Sequence, residues 1–489
     1  MFLQDLITDS VDDILSVSNF DEIEITGIAD NSKDIKDGYL FIAIKGYSSD
    51  GHQFIEEAIR MGAVAVIGEA KIDSVTVPYI RVTNSRKVLG AVAKKFYKDP
   101  SSRKIMVGIT GTNGKTTISY MLRQLLEENG ISCSVIGTIQ HMINGEKIQS
   151  RNTTPGTIEL NSLLAQSQDQ AVILEVSSHG LAQYRLEGIQ FDYGIFTNLY
   201  HEHLDFHKTM EAYFRAKALL FDKLKHSGLA IINGDNEWGV RLYQKLQEKK
   251  VSSYIVGSSS QSDLQITGYQ LSPCPSISLY ENGDPVHLTI PLPGLHNLYN
   301  AAIAYAVARR MSIKREDLLP VLQHFSGVPG RFEIYKDDDG PTLVIDYAHT
   351  ADAIFHALHT AKQCGAKRIF HIFGFRGGRD KSKRAEMVRV SSEMSDVSIL
   401  TMDDLNSEAL EEMTATLHSL HLNYAENKDI VIPDRTIAIK TAIKMGTKDD
   451  WIIITGKGPE SYQQRFALPT KSDKETVLYL QEKIQRAIQ

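Results

Sequence analysis

Between residues 105 and 128 the chain changes from one hydrophobic period to another. Residues 105–109 form an apolar run of strand character, and residues 118–128 carry helical spacing. Thr110-Gly111-Thr112-Asn113-Gly114-Lys115-Thr116-Thr117 joins them. A glycine-rich turn from a strand into a helix aims backbone N–H groups at one point, and the helix N-terminus adds partial positive charge there. Lys115 can reach terminal phosphates, and the Thr116 hydroxyl can ligate magnesium. The segment therefore predicts a cradle for a nucleoside triphosphate. The usual phosphate loop begins with glycine at the place of Ile109, whereas this chain has Gly108 one position earlier. The alternative is a strand–helix turn that binds nothing, and the Lys-Thr-Thr run in the right local context weighs against it. The loop specifies a nucleotide but not a reaction.

A strand–loop–helix unit of this kind needs a sheet around it. From Lys104 onward strand-like and helix-like runs alternate, which predicts a mostly parallel sheet. Residues 171–176 and 193–197 are strand-like, 210–224 helix-like and 229–232 strand-like. Residues 251–292 hold short alternating segments and predict an antiparallel edge or small sheet, and 300–310 is an alanine-rich helix. Ahead of the loop, strands at 38–44 and 63–67 flank a helix at 54–61, and 98–102 has the composition of a linker. Gly327-Val328-Pro329-Gly330 marks a second boundary. Beyond it, apolar runs at 342–346, 368–373, 397–401 and 451–455 alternate with helical stretches. The expected architecture is α/β in three domains, 1–101, 102–332 and 333–489. The central one is a mononucleotide-binding parallel sheet with the phosphate loop, and the last is Rossmann-like.

The 489 residues are 42% hydrophobic and 23% charged, ordinary for a globular protein. A net charge of −7 argues against a general nucleic-acid binder. Cys133, Cys274 and Cys364 lie far apart and outside any metal-like spacing, which favours a reducing compartment. The N-terminal residues lack a basic segment followed by an apolar one, and no run of about 18 apolar residues occurs. The expectation is a cytoplasmic protein, monomeric, with neither membrane nor nucleic acid as partner.

Glu175 closes an apolar strand and precedes Val176-Ser177-Ser178-His179-Gly180. Ligands gather at the carboxyl ends of strands in such sheets, and a carboxylate there suits magnesium. A helix-capping or ion-paired glutamate is the plainer alternative. His201, His203 and His207 fall within seven residues and invite zinc, but they share no helical face and have no cysteine nearby. A magnesium ion near the phosphates is at least as good a reading, and His207 by itself would be a surface histidine or one that supports a metal ligand. Lys217, by itself, is a helical lysine in a partly apolar stretch.

Together these residues resemble the Mur ligases. The resemblance is carried by the phosphate loop, Asn152-Thr153-Thr154-Pro155, Glu175-Val176-Ser177-Ser178-His179, His203-Leu204-Asp205 and Ala216-Lys217. It continues through Asn297 with Asn300, Gly330-Arg331-Phe332-Glu333, Asp346-Tyr347-Ala348-His349-Thr350, Arg379-Asp380-Lys381 with Lys383-Arg384, and Gly456-Lys457-Gly458. These run in family order over essentially the whole chain. They are most similar to the members that add the third residue of the peptidoglycan stem peptide.

The resemblance implies a reaction. ATP phosphorylates the terminal carboxylate of a UDP-linked muramoyl dipeptide, and an amino acid's amine attacks the acyl phosphate to give an amide. It implies Lys115 and two magnesium ions at the transferring phosphoryl group, with Thr116, Glu175, His203 and Lys217 as the metal set and Lys217 carbamylated to N6-carboxylysine. It implies ATP contacts from Gly111, Thr112, Asn113, Gly114, Lys115, Thr116, Thr117, Asn297, Arg331, Asp346 and His349. Helix capping is the plain alternative for Asn297 and Asn300. Ser32 and the Tyr47-Ser48-Ser49 segment would face the uridine diphosphate, and Thr153, Thr154, Ser178, Gln183 and Arg185 the rest of that substrate. Arg384, Asp403, Asp404, Asn406, Gly456 and Glu460 would meet the amino acid.

Departures crowd into the last third. Members that add meso-diaminopimelate carry Asp-Asn-Pro-Arg where this chain has Asp403-Asp404-Leu405-Asn406. Asn406 replaces the arginine expected at a distal carboxylate, and Asp404 would suit a distal ammonium, so L-lysine or a similar diamino acid is expected, with lysine a better substrate than meso-diaminopimelate. Phe375 and Arg376 stand in a turn that is otherwise glycine-rich, Pro459 replaces a histidine, Ala351 a proline and Glu202 an aspartate. A specialised paralogue with another amino acid or acceptor is thus an alternative. Folylpolyglutamate synthetases share the loop, but Asn31-Ser32-Lys33 and the Asn-Thr-Thr-Pro segment argue against them. A non-catalytic nucleotide-binding partner protein would be expected to lose Lys115, Glu175 or Lys217, and all three are present.

Overall fold

A computed structural model describes residues 1–7, 14–17, 22–46, 49–72, 75–272, 274–336, 340–426 and 428–488. Tyr47 and Ser48, expected at the uridine diphosphate, lie outside the described residues. The described strands form three sheets, and the chain divides into two compact units.

The first unit comprises Met1–Thr110, Ile131–Ile195 and Ala216–Leu229. Its five-stranded sheet has the order Ile14–Val17, Tyr79–Val82, Ala63–Gly68, Tyr39–Ile42, Gly27–Ala29. Only the Ile14–Val17 edge is antiparallel. Helix Ser85–Phe96 lays Val88, Leu89, Val92 and Ala93 on this sheet against Leu40, Ile42, Ala65 and Ile67. The same unit holds strands Ile105–Thr110, Ala171–Glu175 and Cys133–Ile136, all parallel neighbours, followed by the antiparallel Gln140–Ile143 and Glu146–Gln149. Ala171–Glu175 is buried along its whole length, as expected for a strand covered on both faces. Gly108 is a packing glycine in the middle of its strand: a Cβ there would lie 2.8 Å from Leu220 Cδ1. The phosphate loop proper starts later, at Gly111.

The second unit comprises Gly111–Gly130, Phe196–Arg215 and Ala230–Gln489. Helix Lys115–Glu128 packs against Leu295–Arg310. Within residues 251–292 the expected antiparallel pairing holds for Leu264–Gln270, Ser276–Glu281 and Asp284–Thr289. Ser253–Gly257, however, runs parallel to both Leu224–Asn233 and Leu264–Gln270. The helix expected over 210–224 ends at Ala218, and Leu224 already begins a strand.

The third sheet has the order Glu333–Tyr335, Thr342–Ile345, Trp451–Ile454, Ile369–Phe375, Val397–Met402, Ile430–Val431. All pairs are parallel except the first. One face packs on Ile354, Leu358, Met387, Val388 and Leu417, and the other on Ala438, Ile439, Ala442 and Val477. The insertion of Trp451–Ile454, last strand in the chain, between Thr342–Ile345 and Ile369–Phe375 brings the carboxyl ends of three strands side by side.

Candidate functional site

The loop after Ile105–Thr110 is shaped by two glycines. Gly114 has φ 89°, and a Cβ on it would stand 2.5 Å from Asn300 Oδ1. A Cβ on Gly111 would stand 1.8 Å from Thr197 Oγ1. Only glycine fits either place. The loop is tied down by its backbone: Thr112 N donates to Asn198 O at 3.0 Å, Asn113 N to Asn198 Oδ1 at 2.9 Å, and Thr197 Oγ1 to Asn113 O at 2.6 Å. Lys115 folds over the loop, with Nζ 2.8 Å from Gly111 O and 2.9 Å from Thr112 O. Thr116 and Thr117 are buried in the first turn of the helix.

Arg331 reaches the same place, donating from Nη2 to Thr116 Oγ1 at 3.1 Å with its guanidinium over the Tyr347 ring. Two cations thus stand beside the phosphate loop. Asn113 Nδ2 donates to Asp352 Oδ2 at 3.2 Å. Asn297 and Asn300 are not caps. Both are buried inside Leu295–Arg310, whose N-cap is Gly294; Asn297 donates to Pro293 O, and Asn300 Nδ2 lies 3.4 Å from Asn297 Oδ1. Asp346 accepts from Phe332 N and Ala348 N, and burial raises its pKa against the pull of Arg331 and those bonds.

His203 adopts φ 57° and keeps its ring partly exposed. Its neighbour Glu202, noted in the sequence only as a departure, is buried between His203 at 3.7 Å and His349 at 2.8 Å. Burial raises its pKa, but His203, the His349 hydrogen bond and Lys383 outweigh that and hold the carboxyl well below its ordinary value. Of its two expected places His207 does not take the surface; it is buried and stacked on Tyr213, with ring centroids 5.1 Å apart. Among the described residues no three His, Cys, Asp or Glu side chains come together in a group that could by itself hold a metal ion.

In the first unit the strand end at Glu175 organises a second group. Its Oε1 accepts Thr138 N at 3.2 Å and its Oε2 the Thr138 hydroxyl at 2.7 Å. Thr138 also meets the Thr153 hydroxyl at 3.1 Å. Thr154 donates to Glu175 O and accepts from Ser177 N, so the Asn-Thr-Thr-Pro segment is stitched to the strand end. Arg185 donates to Thr154 O at 2.8 Å and holds Gln183 Oε1 with two nitrogens. Ser178 is buried at the start of the following short helix. Thr153, Thr154, Ser178, Gln183 and Arg185, all expected at the UDP substrate, therefore lie in the region of the Glu175 strand end. Ser32, expected there too, donates to Glu57 in the five-stranded-sheet region. Lys217, at 1% exposure, is among the most deeply buried large side chains, an uncommon place for an amine.

The residues expected at the amino acid gather at the carboxyl ends of the third sheet, with charges partnered otherwise than the sequence suggests. Asp404 is buried with its carboxylate on Lys457 Nζ at 2.5 Å and on Gln463 N. It is committed internally and is not open to a substrate ammonium. Asp403 bonds Arg435 at 2.7 Å, and Arg435, fully buried, also holds Asp473. Gly456 has φ 107° and packs on Asp403. Asn406 is not merely a missing arginine: at φ 51° its side chain donates to Gly377 O at 2.7 Å, clasping two loops together. Arg384 is 3% exposed, donates to Arg376 O and approaches Glu408; its Nη1 has no hydrogen-bond partner among the described residues. Glu460 bonds Tyr347 and Arg376.

A phosphate loop clamped by two cations, a carboxylate at a strand end and a third sheet with a charged rim define a nucleotide-dependent α/β enzyme of several sheets. Three family descriptions match: the Mur ligase family catalytic domain over residues 24–97, the Mur ligase middle domain over 109–308, and the Mur ligase glutamate ligase domain over 330–458. A UDP-N-acetylmuramoyl-L-alanyl-D-glutamate–2,6-diaminopimelate ligase of Clostridium tetani is 36% identical over 452 residues, covering 90% of this chain and 91% of that protein. The ligase of the same name from Aquifex aeolicus is 39% identical over 90% of each chain. A solved structure of a ligase with that name superposes with a TM-score of 0.70 at 26% identity, covering 100% of this chain and 99% of that one. The chain belongs to the Mur ligase family of ATP-dependent ligases.

Proposed function

We propose that this protein uses ATP to join an amino acid to the D-glutamate carboxylate of UDP-N-acetylmuramoyl-L-alanyl-D-glutamate, the third-residue step of peptidoglycan precursor synthesis. The observation that carries this reading is the pairing of Lys115 and Arg331 at the phosphate loop, inside a chain alike over nine-tenths of its length to ligases named for that step. Phosphoryl transfer to a carboxylate needs positive charge fixed at the transferring group, and Lys115 is placed to supply it. Asn297, Asp346 and His349 complete the ATP site in this reading, and Ser32, Thr153, Thr154, Ser178, Gln183 and Arg185 hold the UDP-linked substrate. The proposed domain limits remain 1–101, 102–332 and 333–489.

The donor chemistry fits magnesium. In the second unit Thr116 offers a hydroxyl and His203 an imidazole braced by Glu202, and in the first unit Glu175 offers a carboxylate fixed by Thr138; a few such donors, mostly oxygen, suit an ion that keeps much of its water. Magnesium would neutralise phosphate oxygens. Lys217, buried as it is, fits conversion to a carbamate, which would turn a cation into an oxygen donor.

For the amino acid, the arginine missing at Asn406 was the first support for L-lysine, and the second is gone, since Asp404 is held by Lys457. A diamino acid is the reading that stands. The experiment is phosphate release and product mass with ATP, the UDP-muramoyl dipeptide and a panel of amino acids. Turnover with a diamino acid supports the proposal. Turnover only with a different amino acid or acceptor favours a specialised paralogue, a reading that Phe375 and Arg376 keep open.

A further inference from the structure

Arg376 stands where strand Ile369–Phe375 ends, and Glu460 on the loop that follows the neighbouring strand Trp451–Ile454. Tyr347 follows Thr342–Ile345, on the other side of Trp451–Ile454. Three adjacent parallel strands thus deliver a cation, an acid and a phenol to one spot, where open α/β sheets bind their ligands. Arg376 Nη2 bonds Glu460 Oε2, and the Tyr347 hydroxyl donates to Glu460 Oε1 at 3.0 Å.

Two neighbouring charged groups at this rim are closed off. Asp404 with Lys457, and Arg435 with Asp403 and Asp473, have side chains at most 5% exposed. The Arg376 and Glu460 side chains keep 21% and 33% of their surface open. A ligand arriving here meets this pair.

We propose that Arg376 is a specificity-determining residue for the incoming amino acid, and that the Arg376–Glu460 pair selects a side chain ending in both a carboxylate and an ammonium. The inference rests on the ligase reading above. A lone ammonium, as in lysine, would draw Glu460 away and leave the guanidinium without its partner. A lone carboxylate would do the converse to Glu460. Either exchange sacrifices a partly desolvated ion pair to make another. A zwitterionic end replaces one pair by two: its carboxylate takes the planar fork of Arg376 and its ammonium takes Glu460. Arg376 thereby supplies, from a different strand end, the cation that position 406 lacks, and lysine becomes the poorer substrate.

The test compares kcat/KM for diaminopimelate and lysine, with ATP and the UDP-muramoyl dipeptide held saturating, in the unaltered protein, Arg376→Ala and Arg376→Lys. The unaltered protein is expected to prefer diaminopimelate. Arg376→Ala should lower that kcat/KM by about tenfold or more while leaving the lysine value unchanged or raised, because Glu460 is then free for its ammonium, and Arg376→Lys should fall between. The KM for ATP should not move. Arg376→Lys keeps the charge on Glu460, so a folding failure of the alanine variant leaves a readable comparison. An unchanged ratio in the folded variants, or lysine preferred by the unaltered protein, overturns the role of Arg376 and leaves the ligase reading standing. Absence of turnover with every amino acid overturns the ligase reading itself.

Discussion

His349 Nε2 lies 2.8 Å from Glu202 Oε1, and His349 Nδ1 lies 2.8 Å from Tyr347 O, so this imidazole spans a loop of the third sheet and the buried acid beside His203. Glu202 is the junction: it touches both histidines and feels Lys383. Glu202→Gln keeps the size but removes the charge that braces His203. We expect it to raise the magnesium concentration needed for half-maximal phosphate release several-fold, with the loss partly recovered at high magnesium. An unaltered magnesium titration would remove Glu202 from the metal's surroundings.

Lys217→Ala should abolish ligation, and bicarbonate or a short carboxylate should restore part of it by filling the vacated volume with an oxygen donor. Mass spectrometry of the unaltered protein under native conditions should show the added carboxyl group. Full activity in the alanine variant would refute the carbamate.

Asp404→Ala leaves the Lys457 ammonium buried without its carboxylate. Removing one partner of a buried pair costs about 3–5 kcal/mol, read as a lower midpoint in urea unfolding. Asp404→Leu combined with Lys457→Met should recover most of that loss. A double variant as unstable as the single one would show that the pair does more than balance charge.

Acid should destabilise the fold through two buried histidines. Burial and the neighbouring His356 push His296 down from 6.5 to about 4, and burial with Arg435 pushes His371 to about 3. Between the two values the unfolded chain binds a proton that the folded chain refuses. The stabilisation is therefore complete above pH 6.5 and is lost as pH falls toward 4 for His296 and toward 3 for His371. For His296 alone the full loss is on the order of 3 kcal/mol. His296→Gln should flatten the pH profile of the melting temperature between 6.5 and 4, and a profile of unchanged slope would count against the assignment.

Much of this molecule is legible along the chain because its signals are local. Gly111, Gly114 and Lys115 announce a phosphate loop through three adjacent requirements, for left-handed backbone, close approach and charge. The apolar runs that became Ala171–Glu175 and Trp451–Ile454 are short and bounded by turns. The charge pairing was illegible for the opposite reason. Asp404 finds Lys457 across 53 residues, and Arg435 finds Asp403 and Asp473 from two directions. Nothing in the immediate sequence of an acid says whether a buried cation already owns it. The burial of Glu202 and His207 was illegible for a related reason, since a polar residue in a short irregular stretch carries no periodicity to reveal burial. Asn406 was read as a lost arginine, although its left-handed backbone suits asparagine in its own right.

The clasp at Gly377 has a bearing on protein engineering. Gly377 N donates to Asp404 O at 2.9 Å, Asn406 returns a bond to Gly377 O, and a Cβ on Gly377 would fall 1.9 Å from Leu405 O. Residues 374–378 and 403–406 are in effect one cassette. Transplanting 403–406 from a relative would import a segment moulded to a different partner. A graft meant to change which amino acid is joined has to carry both stretches at once.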